Sequence, residues 1–177
     1  MLDEKRVKEA ESNTKIFLEE GLIWKYGSFR KEIFETYCRN YQESLDLAQK
    51  IFEQGLSNLW VIVIAYYTQY YVANAALYKI GYKVGGKISH KVTADALIVF
   101  VRNKLKNELL EDYEEAQGEA LEIIGRKTDE IISHFDKELD KRSTFQYEST
   151  EEIKKAKAET SLKRAKEFVF EMKKLLQ

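Results

Sequence analysis

From Gln54 to Tyr78 the chain runs 25 residues without a charge, QGLSNLWVIVIAYYTQYYVANAALY, although 33% of its residues are Asp, Glu, Lys or Arg. Apolar side chains fill nearly every position here instead of one stripe, the pattern of a helix enclosed on all sides. About 20 apolar residues would also span a bilayer. Asn58, Thr68, Gln69 and Asn74, with Tyr66, Tyr67, Tyr70, Tyr71 and Tyr78, decide against lipid. Membrane-spanning tyrosines gather at the headgroup level, and amides in hydrocarbon need partners that a lone helix lacks. The pattern predicts the central helix of a bundle, capped by Ser57 or Asn58 and ending near Ile80.

Helical spacing recurs on both sides. Val7, Ala10, Phe17 and Leu22 mark a first helix that stops at Gly21 and the turn WKYGS. Ser28 is the expected cap of a helix over about 29–53 with the stripe Ile33, Phe34, Tyr37, Tyr41, Leu45, Ala48 and Phe52. Gly55 ends it. After the central helix, GYKVGG predicts a loop, and Ser89 the cap of a helix starting at His90 and carrying Ala94, Leu97, Ile98, Val101 and Leu105. A further helical stretch runs to about Leu139, with Gly118 and Gly125 as expected weak points. RSTFQYES then connects to a closing helix opened by Thr150, Glu151 and Glu152. TKIFLEEGL and QKIFEQGL recur 35 residues apart and read as two helix ends that stop in the same way. No segment alternates with period two, so no sheet is expected.

Length suits one domain with a real core. The 29 basic and 30 acidic residues nearly cancel, so any contact with nucleic acid must be local. A single cysteine, Cys38, excludes an intramolecular disulfide and a cysteine-based metal cluster. The opening MLDEKRVKEAE has no apolar leader pattern, which predicts a cytoplasmic location. Absence of proline and abundance of Lys and Glu fit long helices and a heat-adapted host.

Only His90 and His134 offer imidazole chemistry. There is no HExxH, no GxSxG and no phosphate-cradling GxxxxGK[ST], so no metal site and no cofactor is expected. Acidic pairs such as Glu114 with Glu115 are adjacent on helices, and so diverge. The local basic features are more informative. Lys79, Lys83, Lys87, His90 and Lys91 surround the glycine loop, and Arg102, Lys104 and Lys106 follow three to four turns down the next helix. Converging, they would form a positive patch suited to a phosphate backbone.

The order of these segments resembles a family. IAYYTQYYVANAALYKIG, a short loop and KISHKVTADALIVF are similar to the HEPN family (higher eukaryotes and prokaryotes nucleotide-binding). That family carries a helix reading like AYYAMFxAAxALL, a glycine-containing loop, and a helix opened by Ser or Thr followed by His. LDLAQKIFEQGL resembles its opening helix. LDKRSTFQYES with EIKKAKAETSLKRAKEFVFEMKKLL resembles its Arg–x–x–Ala–x–Tyr connector and closing helix. The resemblance covers residues 41–177 and leaves 1–40 as an N-terminal helical extension.

It implies an all-α fold: an antiparallel four-to-five-helix up-and-down bundle with an added N-terminal helical hairpin. It further implies a homodimer, and a partnership with a minimal nucleotidyltransferase in a toxin–antitoxin or stress-response system. Active members are metal-independent ribonucleases whose motif is Arg, four to six residues, then His. In this chain Arg142 takes the Arg position and Tyr147 stands where His is expected; Arg102-Asn103 followed by Asn107 is a second candidate with Asn in that place. Tyr titrates near 10 and Asn not at all, so neither serves as a general base near neutrality. His134 lies eight residues after Arg126, outside the motif's range. The expectation is a non-catalytic member binding RNA or a nucleotide through Lys83, Lys87, His90, Lys91, Arg102, Asn103, Arg142 and Tyr147. Two alternatives stand beside it: a divergent ribonuclease pairing His90 with Arg102 or Arg142, and a structural dimerisation module whose Tyr-rich helix packs across a two-fold axis, its tyrosine pairs (Tyr66 with Tyr70, Tyr67 with Tyr71) stacking along one face.

Overall fold

A computed structural model describes residues 2–135 and 151–177. The fold is all-α: α1 (Glu4–Glu19), α2 (Lys31–Glu53), α3 (Asn58–Lys79), α4 (Ser89–Phe100), α5 (Asn107–Phe135) and α6 (Glu151–Leu176). Two short strands, β1 (Ile23–Lys25) and β2 (Tyr82–Val84), complete it. The uncharged segment is α3, and it is the hub, packing against α2, α4, α5 and α6. Val61, Tyr66, Leu77 and Tyr78 on it are buried, as are Ala65, Ala73 and Ala76. Burying one such large aliphatic side chain contributes about 1.5–3 kcal/mol, so enclosure of this helix dominates the stability of the bundle. Asn74 is satisfied inside it, donating from Nδ2 to the Tyr70 carbonyl at 2.9 Å and to Thr93 Oγ1 at 3.2 Å. Among the described residues no helix is long and apolar enough to cross a membrane.

The repeated peptide does what its repetition predicts. Gly21 and Gly55 have φ of 67° and 63°, the left-handed conformation glycine enters without a Cβ penalty. At each end the residue after the glycine bonds back into the last turn, Leu22 N–H to Phe17 O at 2.9 Å and Leu56 N–H to Ile51 O at 3.1 Å. This Schellman arrangement satisfies carbonyls that a helix end leaves open. Ser57 caps α3, its Oγ accepting from Trp60 N–H at 3.4 Å.

Other expectations are corrected. A sheet exists: β1 and β2 pair antiparallel, Ile23 opposite Val84, Trp24 opposite Lys83 and Lys25 opposite Tyr82. The expected GYKVGG loop is therefore in part a strand. Three residues are too few to display a period of two, and the pairing joins positions some 60 apart in sequence, so local pattern cannot reveal it. Ser28 does not cap α2; the helix begins at Lys31 after Arg30, which makes no side-chain cap. Ser89 is the first residue of α4, and the preceding Ile88 occupies the cap position. Gly118 and Gly125 do not interrupt α5, whose packing overrides a cost of about 1 kcal/mol per glycine. Arg102 and Lys104 are not on α4, which ends at Phe100 and passes into a 3-10 turn over Arg102–Lys104.

At the N-terminus α1 lies against α4 and β1. Residue 40 falls within α2, which is unbroken there. The connector RSTFQYES, with Arg142, Tyr147 and Thr150, lies outside the described residues.

Candidate nucleic-acid interface

β1 follows α1 and β2 follows α3, so the ribbon joins two stretches that are each rich in lysine and free of acid. No Asp or Glu occurs between Glu20 and Glu32, nor between Glu53 and Asp95. The two stretches together supply Lys25, Arg30, Lys31, Lys79, Lys83, Lys87 and Lys91. In a protein of net charge −1 this is a strong local excess, created by pairing strands and not by composition.

The ribbon's two faces differ. Ile23 and Val84 point inward and are buried. Trp24 and Lys83, one position along, face outward, with the Lys83 Nζ 5.6 Å from the centroid of the indole. The Trp24 ring leans on Gly85, where an added Cβ would come within 3.4 Å of it. Lys25 lies over Tyr82, which stacks on Phe100 at 4.0 Å. Beyond β1, Tyr26 stacks on Tyr78 at 4.4 Å and donates its hydroxyl to the Tyr78 carbonyl at 2.6 Å. Phe29 packs against both rings, and Lys79 lies over Phe34. Aromatic rings thus hold three of the lysines in place. Lys87, exposed, follows at the turn, and Lys91 is exposed on the first turn of α4.

The start of α4 adds donors. The first N–H to find an intrahelical partner is that of Val92, bonded to Ile88 O at 3.1 Å, and no side chain caps the turn. The N–H groups of Ser89, His90 and Lys91 therefore lie at the positive end of the helix. Ile88 holds φ 42° and ψ 30° and is 57% exposed. A β-branched residue in the left-handed region costs roughly 1–2 kcal/mol. Ile88→Asn, which enters that region more readily, is expected to raise stability by about 1 kcal/mol. Urea unfolding midpoints of the two proteins at equal m-value check this.

His90 is set among tyrosines of α3. Its Nδ1 lies 2.6 Å from the Tyr66 hydroxyl, and its ring centroid lies 4.7 Å from Tyr70, 5.5 Å from Tyr66 and 5.7 Å from Tyr67. The pairs Tyr66–Tyr70 and Tyr67–Tyr71 do touch, at 6.3 and 6.0 Å, but tilted instead of stacked. Burial lowers the His90 pKa below its ordinary value, so at neutral pH the imidazole is uncharged and the face owes its charge to Lys and Arg. Burial also pushes the Tyr66 hydroxyl well up. Because the unfolded chain binds a proton near pH 6.5 that folded His90 resists, this contribution to stability is complete above about 6.5 and is lost as pH falls toward the folded value. Melting temperatures from pH 7.5 to 5 are expected to fall less steeply in His90→Asn than in the parent.

The sequence-derived residues separate into groups. Lys83, Lys87, His90 and Lys91 come together at the ribbon and the start of α4. Arg102 and Asn103 do not join them: they follow the far end of α4, about 18 Å along a helix of this length. Arg102 lines a cleft of about 320 Å³ with Leu2, Asp3, Glu4, Val7, Lys8 and Glu11. Lys106 lines a different groove, between α5 and α6. Arg142 and Tyr147 lie outside the described residues. Sequence reasoning missed Trp24, Lys25, Arg30 and Lys31; the signal available was the acid-free window around them. Among the described residues no three His, Cys, Asp or Glu side chains gather as a metal site requires. Neither a protein-family model nor the sequence of a curated protein matches this chain.

Proposed function

We propose that this chain is a HEPN-like helical protein that binds RNA or a nucleotide without cleaving it, through the ribbon and the first turn of α4. The observation that carries this reading is the pairing of β1 with β2, which unites lysines from two acid-free stretches of the chain beside exposed aromatic rings. Phosphates meet Lys83, Lys87 and Lys91 and the open N–H groups of α4, a combination suited to anions. A non-catalytic role fits the separation of His90 from Arg102 at opposite ends of α4, which keeps these two from acting together to move a proton and stabilise a phosphorane. In this reading the protein works in the cytoplasm as a homodimer with a minimal nucleotidyltransferase, within a toxin–antitoxin or stress-response pair.

The test is fluorescence anisotropy with a labelled RNA oligonucleotide and with a labelled nucleotide, at several salt concentrations, for the parent and for Lys83→Gln/Lys87→Gln/Lys91→Gln. Binding that weakens with salt and is lost in the triple variant supports the proposal. Tight binding unaffected by the three substitutions rejects it. Co-purification with an adjacently encoded nucleotidyltransferase and a light-scattering mass test the partnership and the dimer separately.

A further inference from the structure

We infer that the ribbon is a platform for single-stranded nucleic acid, on which an unpaired base stacks against Trp24 while the adjoining phosphates lie among Lys83, Lys87 and Lys91. This rests on the function proposed above and narrows it from any phosphate-bearing ligand to one with accessible base faces.

Trp24 is the reason. Strand register forces it outward, because Ile23 on one side and Val84 across the ribbon are committed to the core. Trp24 is 38% exposed, where tryptophan is ordinarily well buried. It is braced against Gly85, so presenting it costs little further ordering. Phe29, 48% exposed, lies on the same β1–α2 connection, against Tyr26 at 6.4 Å. Two exposed aromatics would suit a greasy partner in apolar surroundings, but the stretch that carries them and the one paired with it through the ribbon together hold seven basic residues and no acidic ones. A ligand matching both features carries flat apolar faces and regular negative charge. That is a polynucleotide, and one whose bases are free: in a duplex the base faces are already stacked on one another, and only the backbone and groove edges are offered. Lys83 already lies over the indole, at 5.6 Å from its centroid. A base occupying that ring face displaces the ammonium toward the phosphate beside it, so one short segment supplies both contacts.

The experiment uses the full chain carrying Trp60→Phe, which leaves Trp24 as its one indole. Its emission is followed during titration with a 12-residue single-stranded RNA, the same sequence in DNA, the corresponding duplexes, inorganic polyphosphate and polyglutamate. Single strands are expected to quench the emission and to bind at least tenfold more tightly than duplexes. Measured by anisotropy of the labelled single strand, Trp24→Leu is expected to weaken binding about 5- to 100-fold, while Trp24→Phe retains most of it. Circular dichroism confirms that both variants fold, and the quench in the parent needs no variant at Trp24. Quenching by RNA, by DNA or by both supports stacking and identifies the sugar. If duplex or polyphosphate binds as tightly as the single strand and Trp24→Leu changes nothing, stacking is overturned while the cationic-face reading survives. If polyglutamate quenches in place of nucleic acid, or nothing binds and the lysine substitutions are inert, both readings fall.

Discussion

Arg6→Ala is expected to destabilise the fold by about 3–5 kcal/mol, measured as the loss of unfolding free energy in urea. Asp95, in the middle of α4, has a side chain only 1% exposed. Its carboxylate accepts from Arg6 Nη2 at 2.5 Å and from Asn13 Nδ2 at 2.9 Å, both from α1. The same guanidinium holds Glu114 of α5, through Nε at 2.8 Å and Nη2 at 2.6 Å. Removing Arg6 leaves a buried negative charge with one amide for company and a second carboxylate nearby. The loss comes mostly from that stranded charge, not from a favourable ion pair given up, because desolvation offsets most of the attraction within such pairs. It is a large share of the 5–15 kcal/mol by which domains are ordinarily stable. Neutralising the stranded group should therefore recover much of it: Arg6→Ala/Asp95→Asn is expected to unfold at higher urea than Arg6→Ala alone. A single-variant cost below 1 kcal/mol, or a double variant weaker than the single, would show that water already reaches Asp95.

The second large effect concerns binding. For single strands the logarithm of affinity falls with the logarithm of salt by about 0.7 for each phosphate neutralised. Replacing Lys83, Lys87 and Lys91 by Gln is expected to make that slope shallower by about 2 and to weaken binding roughly 100-fold near 0.1 M salt. These side chains have no ion pair among the described residues, so their removal strands no carboxylate there and stability should scarcely change. That contrast separates them from Arg6, whose loss strands a carboxylate. A triple variant with the parent's slope would place the phosphates on another face.

How much is legible in the sequence depends on the range of each interaction. The end of α3 and the twin stops at Gly21 and Gly55 are readable because a helix terminus is decided by residues within about six positions of it. The basic group around Lys83, Lys87, His90 and Lys91 is readable for the same reason, being nearly contiguous. Ser28 and Ser89 mislead: a serine caps a helix only from the position just before its first residue, and α2 starts three residues beyond Ser28 with Arg30 at the cap. At α4 the chain enters instead through Ile88 in a left-handed conformation, with Gly85 and β2 held by the ribbon. The expected partnership of Arg102 with the basic loop also fails, because a helix of twelve residues separates the loop at its start from the 3-10 turn beyond its end.

The sequence by itself determined the class of this protein. A charge-free run too long for a surface helix and too polar for lipid had to be enclosed by other helices, and hydrophobic burial acts on such a pattern whatever the connectivity. Tertiary structure alone decided where charge and aromatic surface meet. Pairing Trp24 with Lys83 joins residues whose contact is set by backbone hydrogen bonds between distant segments, and those bonds carry no side-chain signature. The long-range fit of β1 to β2 turns two ordinary lysine-bearing turns into one face, and Arg6 reaching Asp95 ties α1, which leads into β1, to α4.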